Sequence, residues 1–333
     1  MRHAVLITGA AGMLGRALVQ ALAALAARPG AIERVVATDV REVAEAERRR
    51  GIVYAIQDVR KPGLEALLSA HRIDTVVHLA SIVTPGPGSD RAFEYSVDVG
   101  GSENVLRACA AAGVRRLIVS SSGAAYGYHA DNPGWITEDQ PLRGNKSFAY
   151  AHHKRLVEEL LARARQDQPQ LEQVIFRIGT ILGERVSNQI TALFDKPRLL
   201  AIRGSDSPFV FVWDQDVVGA MLHAIADGPP GVYNLAGDGA LTLPQIAERL
   251  GKRCLVLPAG LLRAALALLH PLGLTRYGPE QVDFLRWRPV LANTRLKTVF
   301  GYTPRLSSAE VFDLYLAARR IPPPPPPQGP GKR

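Results

Sequence analysis

What this chain has little of narrows its function first. Its 333 residues contain two cysteines, Cys109 and Cys254. They are far apart and without metal-ligand spacing, so they read as small buried hydrophobes in a reducing compartment, and no metal site is expected. Aromatic residues make up 6% of the chain and do not interleave with its cations. No nucleic-acid-binding motif is present either, so the formal net charge of +9 describes a solvated basic surface that favours anionic ligands, and no nucleic-acid partner is expected. Part of that excess is local, in Arg48–Arg50 and in Lys332-Arg333. The apolar stretch Ala4–Ile7 is too short for the core of a signal peptide, and a cytoplasmic location follows. Long apolar runs are also missing. The richest window, Leu255–Leu274, is broken by Pro258, Arg263, His270 and Pro271, whereas a membrane span needs about twenty mostly apolar residues. It reads as a buried or interface helix between two prolines, with membrane contact the lesser reading.

What the chain does have is alternation. Short β-rich runs at Ala4–Thr8, Val35–Thr38, Val53–Ile56, Thr75–Leu79, Leu117–Ser120 and Val174–Arg177 are separated mostly by helical patterns at Leu14–Ala27, Leu64–Ala70, Ser102–Ala112 and Ala149–Arg165. Strands apolar on both faces, alternating with helices, imply an α/β fold with a doubly wound parallel sheet. Ligands of such sheets bind beyond the carboxyl ends of the strands. Further on, Phe209–Val212 reads as a strand, Asp214–Ala226 as a helix, Val232–Leu235 as a strand returning to the sheet, and Leu243–Leu250 as a helix with Thr242 as N-cap. Six prolines, Pro322–Pro327, predict an extended tail over 321–333.

Thr8–Gly15 joins the first strand to the first helix, with glycines at Gly9, Gly12 and Gly15. Glycines there permit a tight turn, and Ala11, Met13 and Leu14 would bring backbone close to a pyrophosphate resting on the helix N-terminus. Asp39 ends the second strand, where a carboxylate binds ribose hydroxyls and repels a 2′-phosphate; NAD is therefore expected over NADP, with Arg41 as the competing signal. Asp58-Val59 after the third strand and Leu79-Ala80-Ser81 after the fourth face the same edge. Asp58 would accept from the adenine amino group, and Ala80 is small enough to let the cofactor lie close.

Ser120–Gly127 follows the fifth strand, and Tyr150-Ala151-His152-His153-Lys154 opens a helix. Tyrosine and lysine at i and i+4 share a helical face. A free phenol ionises near pH 10, and a nearby ammonium together with an oxidised nicotinamide favours the phenolate. Tyr150 would then exchange a proton with a substrate oxygen held by Ser122. Ser120, Tyr150 and Lys154 would also border the cofactor, and Gly123 and Thr180 the substrate. His152 and His153 point off that face and lack partners at metal spacing.

With these residues assembled, the chain resembles the extended short-chain dehydrogenase/reductases, the NAD-dependent epimerase/dehydratase group. The matching pieces are TGAAGMLG (8–15), Asp58-Val59, HLAS (78–81), SSSGAAYG (120–127), YAHHK (150–154), FRIGTILGE (176–184), FVFVWDQDVVGA (209–220) and RPVLANTRLKTVFGYTP (288–304). The resemblance implies a Rossmann domain over 1–182 to which 209–236 returns, a smaller substrate domain over 183–320, and a homodimer. It matches Ser122, Tyr150 and Lys154 to the family's catalytic triad, and Gly9, Gly12, Gly15, Asp39, Asp58 and Ala80 to cofactor positions. Three positions depart. Thr180 stands where nucleotide-sugar members carry asparagine, Phe209 where they often carry arginine, and Asp98 where the family has asparagine. Arg203, Arg286 and Arg288 are the cations that could replace the missing one. Three readings follow: an epimerase or dehydratase acting on a sugar or nucleotide sugar, a dehydrogenase of a less polar alcohol or ketone, and a non-catalytic NAD sensor, against which the intact Ser122/Tyr150/Lys154 set argues.

Overall fold

The β-branched runs read from the sequence do become strands, and the chain lays them down in a fixed order. The computed structural model describes residues 3–27, 30, 32–84, 86, 89–275 and 277–319. The tail at 321–333 lies outside the described residues, as do Pro85, Pro87 and Gly88 of the loop expected beside the substrate. The elements run β1 (His3–Thr8), α1 (Met13–Ala26), β2 (Ile32–Asp39), β3 (Ile52–Ile56), α2 (Leu64–Ala70), β4 (Thr75–His78), α3 (Arg91–Tyr95), α4 (Gly101–Ala111), β5 (Arg116–Ser122), α5 (Ala149–Asp167) and β6 (Glu172–Ile178). The second half adds β7 (Thr180–Leu182), α6 (Gln189–Phe194), β8 (Arg198–Ile202), β9 (Phe211–Trp213), α7 (Asp214–Ala226), β10 (Gly231–Leu235), α8 (Leu243–Arg249), β11 (Arg253–Leu257), α9 (Ala259–Leu269), α10 (Gln281–Arg286) and α11 (Ser308–Ala318).

Seven strands form one sheet in the order β3-β2-β1-β4-β5-β6-β10, and every pairing is parallel. This is a Rossmann-type doubly wound sheet with an added edge strand. Each face has its own core. Leu18, Val19 and Leu22 of α1 join Val217 and Met221 of α7 on one side, and Leu64, Leu68, Val105, Val157 and Leu161 from α2, α4 and α5 cover the other. The strand order reverses between β1 and β4, which opens the crevice where such sheets bind ligands. A separate core forms beyond β6, where Phe194, Phe209, Phe211, Ile246 and Phe312 pack together.

Two sequence expectations change here. The strand expected at Phe209–Val212 is β9, Phe211–Trp213, which pairs with β7 outside the large sheet, while Phe209 bridges to Leu241. Leu255–Leu274 is not one buried helix. It starts in β11, continues as α9 after Pro258, and ends in an exposed turn; no residue of α9 is buried. Apolar composition alone cannot tell a buried helix from one laid on the surface. Thr242 does cap α8, its hydroxyl and Gln245 forming a reciprocal pair.

Candidate active site

The turn after β1 has to be bare of side chains. Gly9 adopts φ +69°, and a Cβ there would fall 2.7 Å from the Ala80 amide nitrogen. At Gly15 a Cβ would lie 2.3 Å from the Gly9 carbonyl oxygen. The turn is thus pressed between the Leu79-Ala80 backbone and α1, leaving its outer side open to a flat ligand. At the start of α1, Gly12 supplies no side-chain cap and the first turn, with Met13 and Leu14, carries no acid. Its free N–H groups and positive end suit a pyrophosphate. Beneath the turn, Thr8 Oγ1 meets His78 Nδ1 at 2.7 Å and Ser102 Oγ meets His78 Nε2 at 3.0 Å. Burial, reinforced by the Lys154 charge, pushes His78 down to about 3, so it stays a neutral spacer.

Asp39 closes the turn from the tip of β2. Ala11 N–H donates to its Oδ2 at 3.0 Å, while the Arg41 amide and Nε donate to Oδ1 at 3.0 and 3.2 Å. The same carboxylate therefore restrains Arg41, the cation read from the sequence as able to accept a 2′-phosphate. The bare cradle, uncapped helix end and carboxylate together fit a dinucleotide such as NAD. Asp58 is gripped by Arg60, Nη2 to Oδ2 at 2.6 Å, and that hydrogen bond holds the carboxyl below its usual range against the opposing effect of burial. Val59 is buried against Gly101, and its carbonyl accepts from Asn104 Nδ2 at 2.7 Å.

Across the crevice, β5 and α5 bring the serine run and the Tyr/Lys pair together. Lys154, buried, donates from Nζ to the Ser120 carbonyl at 2.9 Å and stands 5.6 Å from the centre of the Tyr150 ring. Ala124 N–H donates to Ser122 Oγ at 3.1 Å, which orients the hydroxyl as a donor to a further oxygen. Gly123 opens a 3₁₀ turn, where a Cβ would press on Leu291. Thr180 opens β7 two residues beyond Ile178, the partner of Ser122 in β6.

The sequence reading missed the walls of this site. Tyr128, Phe148, Phe284 and Trp287 cluster with Tyr150. Phe148 and Phe284 stack at 5.6 Å, and Tyr128 meets Phe148 and Phe284 edge-on at 5.4 and 5.2 Å. Arg288 lies 3.9 Å over the Phe209 ring and 4.9 Å from that of Phe284, and it donates to Ser207 Oγ. Its Nε is shut off from solvent without a partner, as is that of Arg286. Among the described residues no carboxylate pairs with Arg288, and burial pushes its guanidinium down to about 9. Tyr128, raised by burial, senses both Tyr150 and Arg288. Of the three cations named from sequence, Arg288 thus stands on the ring of Phe209, the position where arginine was missing.

A buried hydrogen-bond network and a buried ion pair brace these walls. Asp98 accepts from Ser81 Oγ at 2.9 Å and Ile82 N–H at 2.8 Å, and contacts His153 Nδ1 at 3.1 Å. Asp98, where asparagine was expected, thus ties the loop after β4 to α5. Arg177 pairs with Glu158 at 2.8 Å and donates to the Tyr126 hydroxyl at 2.7 Å; Tyr126 in turn donates to Asn234 of β10 at 2.8 Å.

A parallel sheet with a glycine-lined crevice at its reversal point, faced by serine, tyrosine and lysine, defines an enzyme of the extended short-chain dehydrogenase/reductase class. Residues 5–236 match the family model described as the NAD dependent epimerase/dehydratase family. The chain belongs to that family, and NAD is its cofactor. An uncharacterised protein of Mycobacterium tuberculosis is 28% identical over 321 residues, covering 95% of this chain and 84% of that one. A UDP-glucose 4-epimerase of Erwinia amylovora is 32% identical over 128 residues, covering 38% of this chain and 37% of that protein. Among solved structures, the UDP-glucose 4-epimerase of Thermotoga maritima with UDP-glucose superposes with a TM-score of 0.72 at 21% identity, over 95% of this chain and 98% of that one. The UDP-glucose 4-epimerase of Thermus thermophilus complexed with NAD gives 0.70 at 24%, over 96% and 99%. At those identities the structures speak to the fold.

Proposed function

We propose that the chain is an epimerase or dehydratase that acts on a hydroxyl or ketone of a sugar carrying an anionic group, such as a nucleoside diphosphate. The observation that carries this reading is Arg288: a desolvated guanidinium without a carboxylate, at the wall formed with Tyr128, Phe209 and Phe284. A buried cation is costly unless something pairs with it, and a phosphate would. The names of the similar proteins, UDP-glucose 4-epimerases, support the same substrate class.

In this mechanism the glycine turn, the start of α1 and Asp39 hold NAD, with Leu79–Ser81 and Ser120 beside it. Bound NAD supplies a reversible hydride acceptor. Tyr150 takes the proton of the sugar hydroxyl through its phenolic oxygen and later returns it. Lys154, fixed on the Ser120 carbonyl, keeps a positive charge beside the phenolate. Ser122 donates to the reacting oxygen and holds it in line, Gly123 keeps the floor clear, and Thr180 borders the sugar. The family also implies a homodimer.

A second reading, a dehydrogenase of a less polar alcohol, draws on the aromatic wall. The two separate on cofactor balance. Incubation with UDP-sugars should convert the sugar with no net NADH, and Tyr150→Phe should lose about 10²–10⁴-fold in rate. Net NADH from an apolar alcohol panel, lost in the same variant, would favour the second reading instead. NAD retention without any turnover would favour a sensor.

A further inference from the structure

The segment from β11 through the turn after α9 leaves a run of large apolar side chains uncovered. Leu261 and Leu268 are 60% and 66% exposed, and beyond the helix Leu272 and Leu274 are 63% and 70% exposed. Leu261, Ala264 and Leu268 fall at i, i+3 and i+7, one stripe of α9. Leu255 and Val256 of β11 are also exposed. Contiguous apolar patches on a protein surface mark interaction sites.

The charges within the segment itself have one sign. From Arg249 to Pro279 the sequence carries Arg249, Lys252, Arg253, Arg263 and Arg276 and no aspartate or glutamate. Arg249 and Arg263 reach acids on neighbouring helices, Asp313 at 2.5 Å and Asp283 at 2.7 Å. Arg253 is exposed at the start of β11. Lys252, which donates to the Phe194 carbonyl, and Arg253 pair with no acid among the described residues and leave the β11 end of the surface basic, which complements an anionic bilayer.

Size argues for lipid over a second copy of the chain. The face of α9, eleven residues and so about 16 Å by 10 Å, is by itself well short of the ~800 Å² each partner gives up in a stable interface. A bilayer needs no matching shape. No helix among the described residues is long and apolar enough to cross a membrane, so α9 would lie in the plane of the surface.

We propose that Leu255–Leu274 is a peripheral membrane-docking surface that seats this enzyme on anionic lipid. The surface adjoins the candidate site. Arg263 of α9 pairs with Asp283 of α10, and the next residue, Phe284, stacks on Phe148 beside Tyr150. The proposal stands whichever substrate the site takes.

The test is flotation of the full-length protein with vesicles of phosphatidylcholine alone or mixed equally with phosphatidylglycerol. The protein should float with the mixed vesicles, less with the neutral ones, and less again as salt rises. Leu261→Asp combined with Leu268→Asp should weaken binding about tenfold or more while leaving melting temperature and NAD affinity unchanged. Arg253→Glu should weaken it separately, without touching the stripe. No flotation on anionic vesicles, or equal flotation of all variants, would overturn the proposal. So would a wild-type oligomer that the double variant reduces to a smaller species, since the stripe would then be a contact between copies.

Discussion

Replacing Arg288 with methionine separates a functional cation from a structural one, because the two roles predict opposite signs. The guanidinium has no carboxylate partner among the described residues, and its Nε is cut off from solvent. Exchanging an uncompensated buried charge for an apolar side chain of similar length is often neutral or stabilising, by up to a few kcal/mol. Against this stand the hydrogen bond to Ser207, worth about 1 kcal/mol, and the stacking on Phe209 and Phe284, worth about another. The balance is a gain near 1 kcal/mol, or a rise of about 2–4 °C in the melting temperature of the ligand-free protein. Binding should move the other way. Loss of a charged hydrogen bond to phosphate costs about 1.5–3 kcal/mol, or roughly 10- to 150-fold in affinity for a nucleoside diphosphate. The pH dependence follows the same logic. The native guanidinium sits near 9, against an ordinary value of 12.5, so the unfolded chain binds this proton more tightly. Its contribution to stability is therefore absent below pH 9 and recovered as pH rises from 9 toward 12.5. Over that rise the wild type should approach the variant in stability while losing affinity for the anion. Differential scanning fluorimetry and calorimetric titration with UDP measure both quantities. A variant that melts several degrees lower and still binds UDP would refute the reasoning and make Arg288 a packing residue.

Glu158→Gln should cost about 3–5 kcal/mol in denaturant unfolding, because it strands the buried Arg177 charge; a loss below about 1 kcal/mol would mean the pair is solvated. Asp39→Ser should weaken NAD binding and improve NADP binding, since it removes a carboxylate and releases Arg41; unchanged cofactor preference in paired titrations would take Asp39 out of the ribose site. Asp98 is buried, which alone would raise its carboxyl, but the hydrogen bond from His153 and the Lys154 charge leave it below its ordinary value of 3.8. It therefore contributes stability that is present above that value and is lost as pH falls through the lower native one. Asp98→Asn should flatten the acid limb of a stability-against-pH curve below about pH 4; an unaltered limb would assign acid unfolding to other groups.

The large sheet was legible because its signals are local. Each strand is a short β-branched run, and the glycines after β1 answer a steric demand of that turn, as the contacts at Gly9 and Gly15 show. Tyr150 and Lys154 were legible because four residues on a helix make neighbours. The rest was not, for the same reason in reverse. β7 and β9 hold three residues each, too few to show a period. The aromatic wall joins Tyr128 and Phe148 to Phe284, far apart in sequence, and nothing at any one position announces the meeting. That Arg60 folds back onto Asp58 was equally out of reach, because two loop residues at that spacing have no fixed geometry. Leu255–Leu274 reads from composition as a buried or an interface helix, and composition cannot choose between the two; α9 buries none of its residues.

The place of β10 at the edge of the large sheet has a consequence for how the chain is made. β6 leaves the ribosome with β5 on one side and nothing on the other, its apolar Val174–Phe176 run presented as an open edge. Roughly 60 residues separate it from the end of its partner, and at about 5–20 residues per second that gap lasts several seconds. An unpaired apolar edge invites pairing with another chain. The second half of the sequence therefore also closes the first, through Asn234 to Tyr126 and through the Arg116 guanidinium to the Gly228 carbonyl at 2.9 Å. A shortened protein that ends near Leu182, where the dinucleotide fold looks complete by its motifs, would be born with that edge exposed.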